Sequence, residues 1–502
     1  MNARHLPYIL FLFGLLPAAC HRKPAAGTDT DTAQTDFDDV STNGISNISA
    51  AIHPNVHTVI IVRWHQDVPV DTVSVRFSFE NDEWLETPAR PGTEGDHAEV
   101  LLGIPAETQV QFYFEQRRAT ADAGVSDKDG GLPDAGEAAP TIYYSVTGEL
   151  PSNLPLPTVL SYDREAADPA QWILGSVENT PTVDGYYMGP FWIYIIDRAG
   201  RIVWYYGDPA DNPCMAFPRV APDNSHLYLA KRQFFNNPSY KPRVLEITLD
   251  YNQQRETLVP NLDDCIDVTD DGGILYNSWT RGDTDALYEL SPDGTTREIW
   301  NCTKWAFASG AAAINRHFCY SNTVDWNPIG NTVTLSFPYI DTAVEIDRAT
   351  GELIGQWGAV SGSAAFSPST WEFQFNHFAN ITPDGTLLIS THAPGHEATE
   401  VPGEHRFVEF EIDRENNRLT EKWVYGEGVG DWPMYKGEAH RTENGNTLLN
   451  YGTGGIIREV TPAGETAWHV KWDADFSDDR FNKMVGHTVL LDDLYPLCEG
   501  FE

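Results

Sequence analysis

FQFNHFANITPDGTLLIST, from Phe373 to Thr391, decides the fold because it is a pair of short strand patterns joined at a tight turn. The turn is Pro383-Asp384-Gly385, and the apolar residues on either side of it are typical of a β-hairpin. Similar hairpins recur along the chain. Eight places before each turn glycine stand, in order, Asp264, Asn322, His377 and Gly437. In a radially repeated fold these positions lie on a ring around one axis, and a histidine on that ring predicts a site for chemistry.

A second type of hairpin returns six times, starting near Ile193, Arg243, Ala286, Thr342, Arg406 and Ile456. The spacing between copies is about 43 to 64 residues, and each copy is followed by a hairpin of the first type. Four strands per repeat at this period predict a six-bladed β-propeller over residues 158–498. An alternative of two β-sandwiches does not explain why the same hairpin returns six times. We therefore expect an all-β protein.

Residues 45–148 predict a separate β-sandwich domain. Thr58 to Trp64 and Thr72 to Phe79 alternate apolar and polar residues. The step Leu102-Gly103-Ile104-Pro105 and the strand after it resemble fibronectin type III domains, which have an immunoglobulin-like sandwich. Residues 119–139 interrupt the pattern and are interpreted as a solvated hairpin tip. A calcium loop is the less favoured alternative there, because the acidic residues lack the spacing of a known cage.

The N-terminus predicts export. Residues 1–20 (MNARHLPYILFLFGLLPAAC) have a basic start, a short apolar run and small residues that lead into Cys20, as in the lipobox of a bacterial lipoprotein. Cys20 is then the lipidated residue, and residues 21–44 form a polar, disordered tether from the membrane. An ordinary signal peptide cut near Ala19 is the alternative. The expected location is the bacterial cell envelope, anchored to the outer membrane on its periplasmic or surface face.

Composition limits the possible partners. The 502 residues contain 33 Lys and Arg against 73 Asp and Glu, a net charge of −40 with a pI near 4.5. Nucleic acid is not expected as a partner, because its phosphates require neutralising Lys and Arg. An anionic substrate would need positive groups gathered at one place.

The cysteines other than Cys20 are disulfide candidates in an exported protein. Cys302 and Cys319 bracket an insertion and are the first pair predicted, and Cys214 with Cys265 is a possible second pair between neighbouring blades. Cys265 as a nucleophile is a weaker hypothesis, because a reactive thiol needs a base beside it. No cysteine and histidine cluster has the spacing of a zinc site, so the sequence predicts no metal and no other cofactor.

Three segments of the propeller region are similar to the family of PAPS-independent arylsulfate sulfotransferases. They are FNHFANITPDGTLL, CYSNTVDWNPIGNTVTLSF from Cys319, and EAHRTENGNTLLNYG from Glu438, and the resemblance covers roughly residues 160–497. It implies an N-terminal sandwich followed by a six-bladed propeller. It also implies transfer of a sulfuryl group from an aryl sulfate to a phenol through a sulfated histidine, which is His377 here, with Asn322 as the matching asparagine.

The chain departs from the family pattern at three places. Tyr320 stands where a histidine is expected, the run Asp263-Asp264-Cys265 replaces a second histidine, and Phe337-Pro338 replaces an arginine. Tyr320, Asp264 and His440 are the further candidates for substrate binding. Each has a structural alternative: a tyrosine packed at a blade edge, a solvated carboxylate, and a histidine hydrogen-bonded inside a strand.

Two functions follow from these residues. The first is an enzyme that acts on a small aromatic sulfate ester and a phenol, with His377 as the nucleophile. The second is a non-catalytic propeller at the cell surface that binds a protein or a glycan, in which His377 is structural.

Overall fold

The computed structural model is all-β. It describes residues 34–37, 44–80, 83–118, 140–179, 191–208, 213–232, 240–280, 283–313, 317–393, 404–477 and 480–501. The predicted signal peptide with Cys20, most of the tether and the interruption at residues 119–139 lie outside these ranges. No helix in the described ranges combines the length and the apolar character needed to cross a bilayer.

The N-terminal part contains two antiparallel sheets. Their strands are β1 (Gln34–Asp36), β2 (Ile45–Ile52), β3 (Ile60–Gln66), β4 (Val70–Ser78), β5 (Leu85–Glu86), β6 (Arg90–Gly92), β7 (Gly95–Leu101), β8 (Gln109–Arg117) and β9 (Tyr143–Val146). One sheet has the order β1-β2-β3-β7, and the other has the order β5-β4-β8-β9 with β6 also on β4. Val62, Trp64, Phe77 and Phe112 from both sheets are buried in one apolar cluster.

Six further sheets follow, which we call blades 1 to 6. Blade 1 contains β11 (Trp172–Glu178), β12 (Phe191–Asp197) and β13 (Ile202–Gly207); blade 2, β14 (Pro218–Val220), β15 (Leu227–Lys231), β16 (Arg243–Ile247) and β17 (Gln254–Leu258); blade 3, β18 (Leu262–Val268), β19 (Ile274–Thr280), β20 (Asp283–Leu290) and β21 (Thr296–Asn301).

Blade 4 contains β22 (Asp325–Asn327), β23 (Thr332–Phe337), β24 (Thr342–Asp347) and β25 (Leu353–Gly358); blade 5, β26 (Ala365–Ser367), β27 (Phe378–Ile381), β28 (Leu387–His392), β29 (His405–Asp413) and β30 (Arg418–Tyr425); blade 6, β10 (Thr158–Tyr162), β31 (Gly437–Arg441), β32 (Thr447–Tyr451), β33 (Ile456–Val460) and β34 (Thr466–Lys471). Strands β35 (Asp475–Ser477) and β36 (Arg480–Asn482) form a separate hairpin. The helix α1 (Cys302–Ser309) and four single 3-10 turns complete the described elements: Ala311–Ala313, Pro338–Ile340, Gly452–Gly454 and Pro496–Cys498.

The blades form a closed ring. The innermost strands of successive blades are neighbours from β14 through β18, β22 and β27 to β31. The last strand, β37 (Val485–Leu491), pairs antiparallel with β11 and so becomes the innermost strand of blade 1. The described sheets are therefore consistent with a β-propeller. The outer hairpins predicted from the sequence are the two outer strands of blades 1 to 4, and in blades 5 and 6 they are flanked on the outside by β26 and β10. The sequence did not single out β11, which is almost wholly buried between β12 and β37.

The turns explain part of the repeat. Gly272, Gly385 and Gly445 have φ values of 76°, 79° and 88°, a left-handed backbone that favours glycine. Gly330 differs from them, because the neighbouring Asn331 takes the left-handed position with φ of 48°. Asparagine tolerates this conformation better than most residues, so the turn of blade 4 keeps the hairpin with another residue in that place.

The N-terminal sheets contact blade 1. The Thr58 hydroxyl donates a hydrogen bond to the carbonyl oxygen of Val203 (2.7 Å), and the hydroxyl of Tyr205 accepts one from the backbone N–H of His57 (2.9 Å). Val59 lies in the same apolar cluster as Trp204. Blade 1 is therefore covered on this side by the N-terminal part.

The predicted disulfide between Cys302 and Cys319 is present and ties α1 to the segment before blade 4. Cys214 and Cys265, the possible second pair, are buried thiols. The Cys265 thiol donates a hydrogen bond to the carbonyl oxygen of Asn322 (3.2 Å).

We expect the double substitution Cys302→Ala/Cys319→Ala to lower the free energy of unfolding by about 3 kcal/mol. The reason is that a cross-link between residues 17 apart removes conformational entropy from the unfolded chain. Guanidinium denaturation measures the loss. Dithiothreitol should reproduce it in the wild type and leave the double variant unchanged, and equal stability of the two proteins without reductant would contradict the prediction.

Candidate functional site

The candidate site lies where the innermost strands of blades 4, 5 and 6 begin. His377 directly precedes β27, Asn322 precedes β22 and Lys436 directly precedes β31. Innermost strands start near the axis of a propeller, so residues just before them face one another even though they are 55 and 59 positions apart in the chain. This grouping agrees with the predicted juxtaposition of Asn322 and His377. Lys436 is a member that the sequence did not suggest.

Asn322 orients the imidazole of His377. Its amide nitrogen donates to the carbonyl oxygens of Ser336 (3.2 Å) and His377 (2.9 Å), which leaves its oxygen 2.8 Å from His377 Nδ1. Thr323 adds a hydroxyl that donates to the same His377 carbonyl (2.9 Å). The backbone and the ring of His377 are therefore both held by blade 4.

Lys436 favours the opposite protonation state of the same ring nitrogen. Its backbone N–H donates to His377 Nδ1 at 2.9 Å, which requires a lone pair there, whereas the Asn322 oxygen stabilises a proton on Nδ1. The tautomer of His377 depends on which neighbour prevails. With the proton on Nδ1, Nε2 carries the lone pair and is the nucleophilic nitrogen.

His377 is neutral at physiological pH. Its side chain is buried, with 9% of its surface exposed. Burial lowers the pKa of His377 well below its usual value, and the neighbouring His392 and Lys436 lower it further. A neutral imidazole keeps one lone pair, which both nucleophilic and base catalysis require.

The Lys436 side chain crosses to blades 1 and 2. Its ammonium nitrogen lies 4.8 Å from the ring centroid of Phe217 and 5.3 Å from that of Phe191. The Nζ atom is buried and has no hydrogen-bond partner among the described residues. The site thus contains a desolvated cation close to a neutral histidine.

Aromatic rings cover His377. Phe375 lies 5.5 Å from it between ring centroids and Tyr435 lies 5.9 Å from it. Phe375 also contacts Tyr339 (5.7 Å), which in turn contacts Tyr320 (5.6 Å). Tyr320 therefore belongs to the aromatic cluster over the site through its ring contact with Tyr339.

Two residues that contact His377, Phe375 and Lys436, have strained backbone conformations. Phe375 has φ of 49° and Lys436 has φ of 64°, left-handed conformations that cost free energy in residues with a side chain. The N–H of Phe375 is held by Asp341 Oδ1 at 2.7 Å. Burial raises the pKa of Asp341 to about 6. Such strain persists where surrounding contacts fix the chain, and it is common at functional sites.

The other predicted ring positions differ. Asp264 lies in β18, and its side chain is outside the described part of the structure. Its neighbour Asp263 pairs with Arg232. Gly437 is required for packing, because a Cβ there would lie 2.4 Å from Ser390 Oγ and 2.9 Å from His405 Nε2. The ring at this level therefore includes Lys436 instead of a side chain at position 437.

His440 belongs to a second group of polar side chains further along the innermost strands. His440 and Glu438 come from β31, His487 from β37 and Arg219 from β14. His487 Nδ1 lies 2.9 Å from Glu438 Oε2, and Arg219 contacts His487 Nε2. The His440 ring lies 4.9 Å from Phe378 and 5.1 Å from His487. The described hydrogen bonds and ring contacts of His377 do not include His440.

Glu438, His440 and His487 could be considered as metal ligands, because one ligand atom of each lies within 4.8 Å of the others. Their hydrogen bonds favour a different arrangement. His487 is satisfied as a neutral ring that donates from Nδ1 to Glu438 and accepts at Nε2 from Arg219, and Glu438 also accepts from the backbone N–H of Thr488 (2.7 Å). A cation on His487 Nδ1 would place a proton on Nε2, facing the guanidinium.

No model of a known protein family and no curated protein matches the sequence. Solved β-propeller structures are similar at low identity. A protein of unknown function from Bacteroides caccae shares 14% identity, with 61% of this chain and 94% of that chain covered and a TM-score of 0.38. Virginiamycin B lyase from Staphylococcus aureus shares 12% identity, with 51% of this chain and 70% of that chain covered and a TM-score of 0.33. The periplasmic gluconolactonase of Pseudomonas aeruginosa shares 12% identity, with 60% of this chain and 96% of that chain covered and a TM-score of 0.32.

We expect His377 to be neutral at pH 7, because its burial lowers its pKa. Substitution Asn322→Leu should shift its tautomer toward the proton on Nε2, since only the Lys436 N–H donor then remains at Nδ1. Nitrogen-15 NMR of labelled histidine measures both quantities, with His377→Asn to assign the resonance. An imidazolium signal from His377 at pH 7 would contradict the expected neutrality, and an unchanged tautomer in the leucine variant would show that Asn322 does not set it.

His487 should make stability depend on pH. Burial and the positive charge of Arg219 lower the pKa of His487 to about 4, against about 6.5 in the unfolded chain. Between these values the unfolded state binds more protons, so the contribution to stability is complete above pH 6.5 and is lost as pH falls toward 4.

The difference in unfolding free energy between wild type and His487→Gln should therefore change by about 3 kcal/mol between pH 7 and pH 4, from the size of this shift. Urea denaturation at a series of pH values measures it. His97→Gln, in the N-terminal sheets, is the control. A parallel pH dependence in wild type and His487→Gln would show that His487 titrates normally.

Proposed function

We propose that this protein is an exported, arylsulfotransferase-like enzyme that transfers a sulfuryl group from an aryl sulfate to a phenol through His377. The observation that carries the proposal is the neutral, buried imidazole of His377 beside a buried ammonium, that of Lys436. A nucleophile with a lone pair and a cation for the sulfate oxygens are the two requirements of this chemistry. The resemblance of three chain segments to the sulfotransferase family supports the same assignment.

The transfer proceeds in two displacements. The lone pair of His377 Nε2 attacks sulfur, the sulfur to aryl-oxygen bond breaks, and its electron pair leaves with the phenol oxygen, which takes up a proton. In the second displacement an acceptor phenol loses its proton, and its oxygen attacks the sulfur of the sulfated histidine. The N–S bond breaks, and its electron pair returns to the imidazole ring. Asn322 supports this route because its side-chain oxygen accepts a hydrogen bond from Nδ1–H, and this tautomer has its lone pair on Nε2.

The aromatic cluster supports an aryl ligand. Phe375, Tyr435, Tyr339 and Tyr320 lie in a connected series of ring contacts that includes His377. Tyr339 is partly exposed, with 38% of its surface accessible to solvent. Offset or edge contacts with such rings favour an aromatic substrate over an aliphatic one.

The remaining parts of the proposal concern location and architecture. We propose that the two N-terminal sheets are a fibronectin type III-like sandwich and that the lipid on Cys20 anchors the chain to the cell envelope through the tether at residues 21–44. The shared apolar cluster of the two sheets and the small residues before Cys20 support these assignments.

A second candidate function is binding without catalysis. It is favoured by the hydrogen bond from the Lys436 N–H to His377 Nδ1, which stabilises the tautomer without a lone pair on Nε2. In that case the propeller binds a protein or glycan, and His377 holds the Lys436 loop in place.

The experiment that separates the two is mass spectrometry of the full-length protein after brief exposure to 4-nitrophenyl sulfate, with phenol release followed in parallel. An enzyme should show an added SO3 group mapped to His377, with a burst of nitrophenol equal to the enzyme concentration. His377→Asn should lose both signals, and His97→Asn should keep them. The absence of adduct and phenol over a range of aryl sulfates would reject the transferase.

A further inference from the structure

Lys436 is the feature of this site that no sequence pattern indicates. It stands in a left-handed backbone conformation directly before β31, and its ammonium is enclosed between blade 6 and the rings of Phe191 and Phe217. The described residues offer the Nζ atom no hydrogen bond. The three N–H donors of the ammonium therefore have no acceptor among the residues that the structure describes.

The two phenyl rings account for only part of this arrangement. A ring face attracts a cation through its quadrupole, but it does not replace the hydrogen bonds that the ammonium makes to water. A desolvated charge without a hydrogen-bonded partner destabilises a fold. It is retained where a ligand supplies the opposite charge.

Three of the described carboxylates around the axis have other partners. Asp263 pairs with Arg232, Asp267 lies 3.4 Å from Arg219, and Glu438 contacts His487. The chain carries a net charge of −40, so acidic side chains are abundant, yet none of those described forms an ion pair with Lys436. The positive charge at this position is available to a ligand.

The Lys436 ammonium acts on His377 through its charge. The backbone N–H of Lys436 donates to the imidazole at 2.9 Å, and the positive charge of its side chain lowers the pKa of that ring. An anion bound to Nζ would therefore belong to the same site as the imidazole.

We propose that Lys436 Nζ is the binding group for the anionic oxygens of the ligand, donating hydrogen bonds to a sulfate ester at the axis. The ligand class rests on the proposed function. In the transfer, Lys436 stabilises the negative charge on the oxygens that do not leave, which is the task of the arginine that Phe337 and Pro338 replace. It forms no covalent bond.

Binding of phenyl sulfate and of phenol, measured by calorimetry in the His377→Asn background, tests this assignment without turnover. Lys436→Met should weaken the binding of phenyl sulfate about tenfold or more, because charge-assisted hydrogen bonds are lost, and should change the binding of phenol less than about twofold. Lys436→Arg should keep most of the affinity. Lys471→Met, on an outer strand of the same blade, is the matched control.

A second measurement covers the case in which the variant changes the fold. Lys436→Met should unfold at the same or a higher temperature than the wild type, because it removes an unpartnered buried charge. Sulfate ion should raise the melting temperature of the wild type and leave that of Lys436→Met unchanged.

Two results would overturn the inference: equal affinity of Lys436→Met and its parent for phenyl sulfate, or an equal loss for phenyl sulfate and phenol. The outcome is distinct from that of the proposed function. Lys436-dependent binding without a His377 adduct would keep the anion site and reject the transferase. An adduct that forms at the wild-type rate in Lys436→Met would keep the transferase and reject this role of Lys436.

Discussion

The arrangement of the propeller depends on the pairing of its last strand with its first blade. β37 lies more than 300 residues after β11, and the antiparallel ladder between them closes the ring. Polar contacts at the axis fix the same strand from two sides, since His487 contacts Glu438 of blade 6 and Arg219 of blade 2. The pairing gives blade 1 its innermost strand, and it sets the distance between residues that start the innermost strands.

This closure explains why the candidate site is desolvated. His377, Asn322 and Lys436 come from three blades, and each stands just before an innermost strand. When the ring closes, these residues meet inside the protein and not at its outer surface. Burial then keeps the imidazole neutral and deprives the ammonium of water, so one geometric constraint produces both chemical features of the site.

Two kinds of polar group lie around the axis. The network of Arg219, Glu438 and His487 is mutually hydrogen-bonded, and its members satisfy one another. Lys436 and His377 are less completely satisfied, because Nζ has no acceptor in the described part of the chain and Nδ1 faces both a donor and an acceptor. Satisfied networks hold a fold in one arrangement, whereas incompletely satisfied groups at a cleft are where a ligand gains binding energy. His440, a candidate from the sequence, lies beside this network, and its Nε2 has no hydrogen-bond partner among the described residues.

The sequence by itself determined the repeated hairpins, the blade period and the position of His377 and Asn322, because turn residues and strand alternation act over a few neighbours. It also indicated the Cys302–Cys319 pair, which closes a short loop. It did not single out β11, nor the role of Lys436, nor the packing that requires glycine at position 437. Those features depend on residues from other blades: β37 for β11, Phe191 and Phe217 for Lys436, and Ser390 and His405 for Gly437. Only the tertiary structure brings such distant residues together, so only it decided which cation stands beside the histidine.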